Sequence, residues 1–536
     1  MTAAIDLALV SGRVRTLDSS QPSATAVAIA GGRIAAVGDD ARIRELCGPR
    51  TEVVDLGGAA VVPGLIDSHT HPFHGAMNAR GADLLDARTL EDVRDRVAAE
   101  RARCAPGEWV LGFGLDYNVF AGSDIRGELL ADAARGTPAL LTFMDFHTAL
   151  ATPAALRAAG VDGARTFAEH AEVVCADGAP TGELRENAAI DLVRGVVPPL
   201  TPAQRYETCA TQLRRFAAVG ITGTHAMNGD LAGLDLLRVL EANGDLAIRI
   251  RYPFTLEPEM PEEQWEALAA QGRERGRRWR AGVAKLFIDG VIDSGTAWLF
   301  EPDSEGAGLD PFWPDPERYR RAVRFFSERR FQCVTHAIGD RGVYEALNAY
   351  RDAPAAAGVR HRIEHIEMPR PADLARFAAE GVVASMQAQH MMWMERSDNW
   401  SRRLGPERSA RALPIRSLRE SGAVVALGSD WPVARYDPRE GMAAARLRRP
   451  PGHPERPAFD DQAIDGLAAL EGYTIAAALT AGDQDRLGRV RAGFCADLTV
   501  LGEDPVDCDP DELPADPVLL TVVDGEVVFR GPGLDG

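Results

Sequence analysis

The apolar residues of this chain gather into short runs, and the rhythm of those runs changes between its ends and its middle. Residues 6–15 alternate toward a turn, and residues 26–38 read as two strands around Gly31-Gly32. A Gly-Gly pair suits a two-residue hairpin turn, whose central residues take positive φ. Residues 52–56 add another apolar stretch. The far end repeats the style at 496–501 and at 518–529, the latter folded about Asp524-Gly525. Six or so short strands shared by both ends predict one small β domain built from residues 1–59 and 486–536. Two unrelated edge hairpins are the alternative.

Between the ends, strand-like runs alternate with helical stretches, the pattern of a parallel α/β fold. The runs fall at 60–67, 220–224, 247–252, 284–288, 332–335, 362–365, 382–386 and 424–428. Eight is the number that closes a β/α barrel. The barrel is therefore expected on residues 60–75 and 206–485. About 150 residues separate the first run from the second, where a helix and its loops take roughly thirty. Residues 76–205 are thus expected to form an inserted domain over the barrel mouth, with strands of its own near 109–113 and 139–143.

Composition narrows the class. The 536 residues are 46% hydrophobic and 26% charged, ordinary for a globular enzyme. A formal charge of −20 argues against a nucleic-acid partner, which is met with clustered Lys and Arg. No run of eighteen apolar residues offers a membrane span, and the first ten residues lack a basic stretch followed by a long apolar one. Seven scattered cysteines show no metal-finger or redox spacing. A cytoplasmic enzyme without membrane or nucleic-acid partners is expected, with room left for a homo-oligomer.

The chemistry concentrates in Pro63-Gly-Leu-Ile-Asp-Ser-His-Thr-His-Pro72. Residues two apart on a strand face one side, so His69 and His71 project together as half of a tetrahedral metal site. Alone, the pair could equally be polar strand-end histidines. Two more of the eleven histidines, His336 and His365, fall where barrel strands end, and Asp430 follows the last run. Lys285 lies inside an apolar strand, where an unpaired ammonium is costly. Carboxylation by carbon dioxide would remove that charge and create an anionic ligand. An ion pair with Asp289 or Glu186 is the plainer alternative.

In type and order, His69, His71, Lys285, His336, His365 and Asp430 resemble the metal and catalytic positions of the amidohydrolase superfamily. Within it the chain is similar to the subgroup that includes N-substituted formamide deformylase and D-aminoacylase-related hydrolases. The resembling stretches, 63–72, 285–299, 336–340, 362–365, 428–432, 473–478 and 492–501, span nearly the whole chain.

The resemblance implies an α/β fold: a distorted TIM (β/α)8 barrel with a β-sandwich beside it. It implies that His69 and His71 bind one metal with Asp430, and that His336 and His365 bind a second. Carboxylated Lys285 would bridge the two. Members with one metal exist, so one or two divalent ions are expected, zinc by default. The implied activity is hydrolysis of a non-peptide C–N bond in a small amide, formamide or cyclic amide, with Asp430 moving the proton. A heterocycle deaminase or esterase on the same scaffold is the alternative, and a regulatory protein without catalysis a further one. Low-weight substrate contacts are His147, His225, Trp298 and Trp431. His74 is expected to shape its loop, and His170, His361, His390 and His453 to be surface or packing residues.

Overall fold

All eight apolar runs of the middle section contain strands, and these pair in parallel, each with its neighbour in sequence order. They are β1 (Leu65–Thr70), β2 (Ile221–Ala226), β3 (Arg249–Thr255), β4 (Trp279–Phe287), β5 (Gln332–Ala337), β6 (Arg362–His365), β7 (Val383–Met386) and β8 (Val425–Leu427). The structure is a computed structural model that describes residues 4–120, 123–144, 146, 148–167, 171–394 and 398–534. Every residue of β1, β2, β5, β6, β7 and β8 is buried, as expected where both faces of a parallel sheet are covered. Helices follow the strands in turn. Pro316, Pro371 and Pro438 open three of them, where a missing N–H costs nothing. Past β8, Ser429 N–H donates to Asp67 Oδ1 at 3.1 Å and Asp430 N–H to the His69 carbonyl at 2.7 Å. The sheet thereby returns to β1, giving a distorted (β/α)8 barrel.

The first run is not one strand. Ala60–Pro63 joins a different sheet, and β1 starts only at Leu65. Gly64 makes the switch, with Thr222 so close that a Cβ would overlap its side chain. β4 also begins five residues before the apolar run, because Arg280 and Gly282 disguise its first half.

The sheet containing Ala60–Pro63 has six strands, in the order Glu526–Arg530, Val518–Val523, Leu498–Leu501, Ala60–Pro63, Arg13–Arg15, Ser23–Ala24. A four-stranded sheet, Arg33–Gly38, Ala26–Ala30, Leu7–Val10, Glu52–Asp55, shares a buried core with it. That core includes Leu7, Leu9, Val27, Ile29, Val61, Val500 and Leu520. This is a β-sandwich made from residues near both ends of the sequence. Both hairpin turns have the positive φ that their residues suggested: 55° and 77° at Gly31-Gly32, 54° and 78° at Asp524-Gly525.

Barrel and sandwich belong to one compact unit, Met1–Pro72, Ala210–Asp430 and Arg435–Gly536. The other unit is Phe73–Cys209 with Trp431–Ala434. It holds its own six-stranded sheet, including Val110–Leu115 and Ala139–Phe143, with apolar clusters around Leu141 and Leu184. Helix Leu90–Arg103 in this unit starts on a capping box between Thr89 and Asp92 and buries Val93 and Val97, four apart. All seven cysteines are free. Among the described residues no helix is long and apolar enough to cross a membrane.

Candidate metal centre

Asp67, His69 and His71 alternate along β1 and its end, so they share a side. Asp67 is buried and uses Oδ1 to accept the N–H groups of His69 and Ser429, at 3.0 and 3.1 Å. Burial pushes its carboxyl up to about 6. Gly428 permits this junction, since a Cβ there would stand 2.6 Å from the His69 nitrogen.

Each β1 histidine is oriented through Nδ1. His69 Nδ1–H donates to Glu364 Oε2 at 2.6 Å, and His71 Nδ1–H donates to Asn228 Oδ1. Both Nε2 atoms then face Asp430 Oδ1, at 3.2 and 2.8 Å. A carboxylate behind a histidine fixes its tautomer and raises its basicity as a ligand. Glu364 is itself gripped by Arg362, with Nη2 at 2.9 Å from Oε2. Burial would raise the Glu364 carboxyl, but Arg362 and His69 outweigh it and hold it well below the usual range.

Asp430 is where the groups converge. Its second oxygen lies 3.4 Å from His390 Nε2 and 3.9 Å from His365 Nδ1. Burial works to raise its carboxyl, while His69, His390 and His71 together hold it well below the ordinary value. Two triads, His69–His71–Asp430 and His365–His390–Asp430, each place their donor atoms within 4.8 Å of one another. His365 and Asp430 both have positive φ, 71° and 61°, with Ile366 at 51° between strand and loop. Such backbone is uncommon for non-glycine residues and concentrates at functional sites.

His336 stands beside His365, ring centroids 4.5 Å apart, but its Nε2 faces the Gly290 carbonyl at 3.1 Å. Burial and then Lys285 push its pKa down to about 3. Burial, His336 and His69 take His365 well below its ordinary value. Both imidazoles are therefore neutral and carry a free lone pair. Lys285 is buried, its Nζ 4.7 Å from the Phe287 ring centroid and without a hydrogen-bond partner among the described residues. Burial lowers it to about 8. Asp289, a partner that the sequence suggests for Lys285, instead accepts N–H groups of Trp298, Ile338 and Gly339 at 3.0, 3.1 and 2.8 Å.

His390 is the residue that sequence reasoning set aside. It ends a short 3-10 turn, Ala388–His390, after β7, is 3% exposed, and also lies 3.6 Å from Glu367. Burial opposes its charge, yet Asp430 and Glu367 raise it to about 9. The available signal was its place close to the C-terminal end of a barrel strand, as for His336. His225 turns inward, with Nδ1 accepting from Arg362 Nη1 at 2.8 Å. Trp298 is packed under the Arg341 guanidinium and donates to the Leu309 carbonyl. Trp431 is buried against Gly75 in the second unit. His147 and His170 lie outside the described residues, and His453 is exposed.

The residues present fit a divalent metal. Neutral imidazoles with one carboxylate are the donor set of hydrolytic zinc, and also suit manganese, iron or cobalt. His365 Nδ1 and Lys285 Nζ are buried polar atoms that lack hydrogen-bond partners among the described residues.

A family model described as "Amidohydrolase family" matches residues 52–529. The chain belongs to the amidohydrolase family. Membership makes it a hydrolase acting on carbon–nitrogen bonds. This amidohydrolase is 29% identical to an N-substituted formamide deformylase of Arthrobacter pascens, covering 99% of this chain and 100% of that one. It is also 29% identical to Protein LONG AFTER FAR-RED 3 of Arabidopsis thaliana, over 98% of this chain and 91% of the relative. An uncharacterized metal-dependent hydrolase from Pyrococcus horikoshii shares its fold, with a TM-score of 0.74 and 24% identity, over 94% of this chain and 99% of that one.

Proposed function

We propose that this amidohydrolase cleaves the C–N bond of a small amide, formamide or cyclic amide, by attack of water beside Asp430. The observation that carries the reading is one buried carboxylate shared by histidines on both its oxygens, just past the C-terminal end of the last barrel strand. Active sites of such barrels lie at that end. The full-length likeness to a formamide deformylase favours an N-formyl or N-acyl group.

His69, His71 and Asp430 would hold one divalent ion, by preference zinc. His365 and His336 would hold a second, with Lys285, once carboxylated, as a further ligand. When bound, the metal polarises the substrate carbonyl and lowers the pKa of water. Asp430 accepts the attacking water's proton at a carboxylate oxygen and returns it to the leaving nitrogen. Glu364 keeps the proton on His69 Nδ1 and so presents Nε2 to the site. His390, between Glu367 and Asp430, restrains the carboxylate and keeps it ionised. Carboxylation would convert the partnerless Lys285 ammonium into an anion and remove a buried charge. The free cysteines suit a reducing compartment, the cytoplasm.

The test is turnover by the metal-reconstituted enzyme against N-formyl, N-acyl and cyclic amides, with aminated heterocycles and carboxylic esters run beside them. Amide cleavage is expected to lead. Asp430→Asn should lower kcat by about 10²- to 10⁴-fold, with metal content measured on the same preparation. Turnover of heterocycles or esters alone would reassign the substrate class. A metal-loaded Asp430→Asn enzyme within about threefold of wild type would remove the proton role.

A further inference from the structure

At the opposite, N-terminal end of the barrel strands lies a cavity of about 130 Å³, roughly ten times what one water needs. Its lining includes seven arginines and two aspartates, Asp483 and Asp497, in a protein whose net charge is −20. Most of these arginines are answered by carboxylates. Arg249 grips Asp497 at 2.6 Å and Asp524 at 2.9 Å, Arg277 and Arg278 reach Glu526, and Arg280 and Arg486 share Asp483.

Two are not. Arg251 points its Nη atoms at the carbonyls of Ala281 and Gly282, and no carboxylate is within ion-pair distance among the described residues. Its Nε is buried without a hydrogen-bond partner, and so is that of Arg278, a residue only 7% exposed. Arg275, exposed at the cavity, has no carboxylate partner among the described residues either. Burial, then the neighbouring Arg280, lowers the Arg251 guanidinium to about 9. A guanidinium held this way lacks the counter-charge that buried cations require.

We propose that this cavity binds a small oxyanion of the phosphate class, either the free ion or the phosphoryl group of a small ester, between Arg251, Arg275 and Arg278. The unpartnered Nε–H groups of Arg251 and Arg278, with the Arg275 guanidinium, are the donors left for such an ion, and a charged donor and acceptor strengthen each bond. Exposed Arg275 and Arg277 supply the way in. The site is separate from the metal centre, since it lies at the other end of the strands, and it does not rest on the proposed reaction.

The experiment is calorimetric titration of the metal-loaded protein with inorganic phosphate and, separately, glycerol phosphate, at constant ionic strength. Saturable binding is expected, weakened about tenfold or more in Arg251→Met, that is by about 1.4 kcal/mol. Arg275→Gln, a change at an exposed side chain, should weaken it several-fold without altering Tm, and decides the matter if Arg251→Met fails to fold. Tighter binding of the ester identifies a phosphoryl group on a small molecule as the ligand. Tighter binding of phosphate identifies the free ion. Absence of saturable binding of either, or binding unchanged in the folded variants, overturns the site.

Discussion

Lys285 presents the sharpest question at the scale of a single residue. Its ammonium is buried, its pKa is lowered to about 8 by that burial, and its Nζ finds no hydrogen-bond partner among the described residues. If the amine is carboxylated, Lys285→Ala loses activity and regains part of it with bicarbonate or a short carboxylic acid that occupies the emptied space. Mass spectrometry of the native protein, or well-resolved density showing a bare amine in the metal-loaded enzyme, decides against modification. His69 and His71 were legible together because strand alternation tells which side chains share a face, and Asp430 by its place just past the last apolar run. His390 was not, since a 3-10 turn after β7 has no such period to report facing. His225 was legible as a strand-end histidine, but not its partner: Arg362 is distant in sequence, and only the closed barrel brings them to 2.8 Å.

Among elements, turns and strand order were more legible than strand limits. Gly31-Gly32 and Asp524-Gly525 mark their hairpins because few other residues tolerate φ > 0 at both positions. The break between Ala60–Pro63 and β1 was hidden, because both halves are apolar and buried. What separates them is a close approach, and that is a property of the partner, Thr222 on β2. Gly64→Ala would press a methyl into the Thr222 side chain, which also bonds the Leu65 carbonyl at 3.2 Å. Overpacking of this kind costs about 1–3 kcal/mol. Urea unfolding should show that loss, and a variant as stable as wild type would mean that the two strands yield more easily than the geometry suggests.

For the molecule as a whole, the clearest solution signature is its response to acid. His361 is buried, accepts the Cys333 N–H on Nδ1 at 3.1 Å and lies 3.2 Å through Nε2 from the Ala353 carbonyl. Burial lowers its pKa from 6.5 to about 4. A histidine depressed in the folded state takes up its proton more readily when unfolded. Its stabilising effect is therefore complete above pH 6.5 and is lost as pH falls from there toward 4. The contribution is about 1.4 kcal/mol per pH unit across that window. Stability measured between pH 7 and 5 should fall less steeply in His361→Gln, by up to one proton; an unchanged slope would show that His361 does not titrate on unfolding.

The sandwich carries a consequence for how the molecule is made. Ala60–Pro63 finds its antiparallel partner in Leu498–Leu501, more than 430 residues later. Polypeptide leaves the ribosome at about 5–20 residues per second, so that edge waits roughly 20 to 90 seconds for its neighbour. Throughout that interval a buried apolar strand of the finished protein is an open edge, able to pair with any other nascent chain. Vectorial synthesis thus leaves the strand that leads into His69 open to misassembly until the residues near 500 emerge.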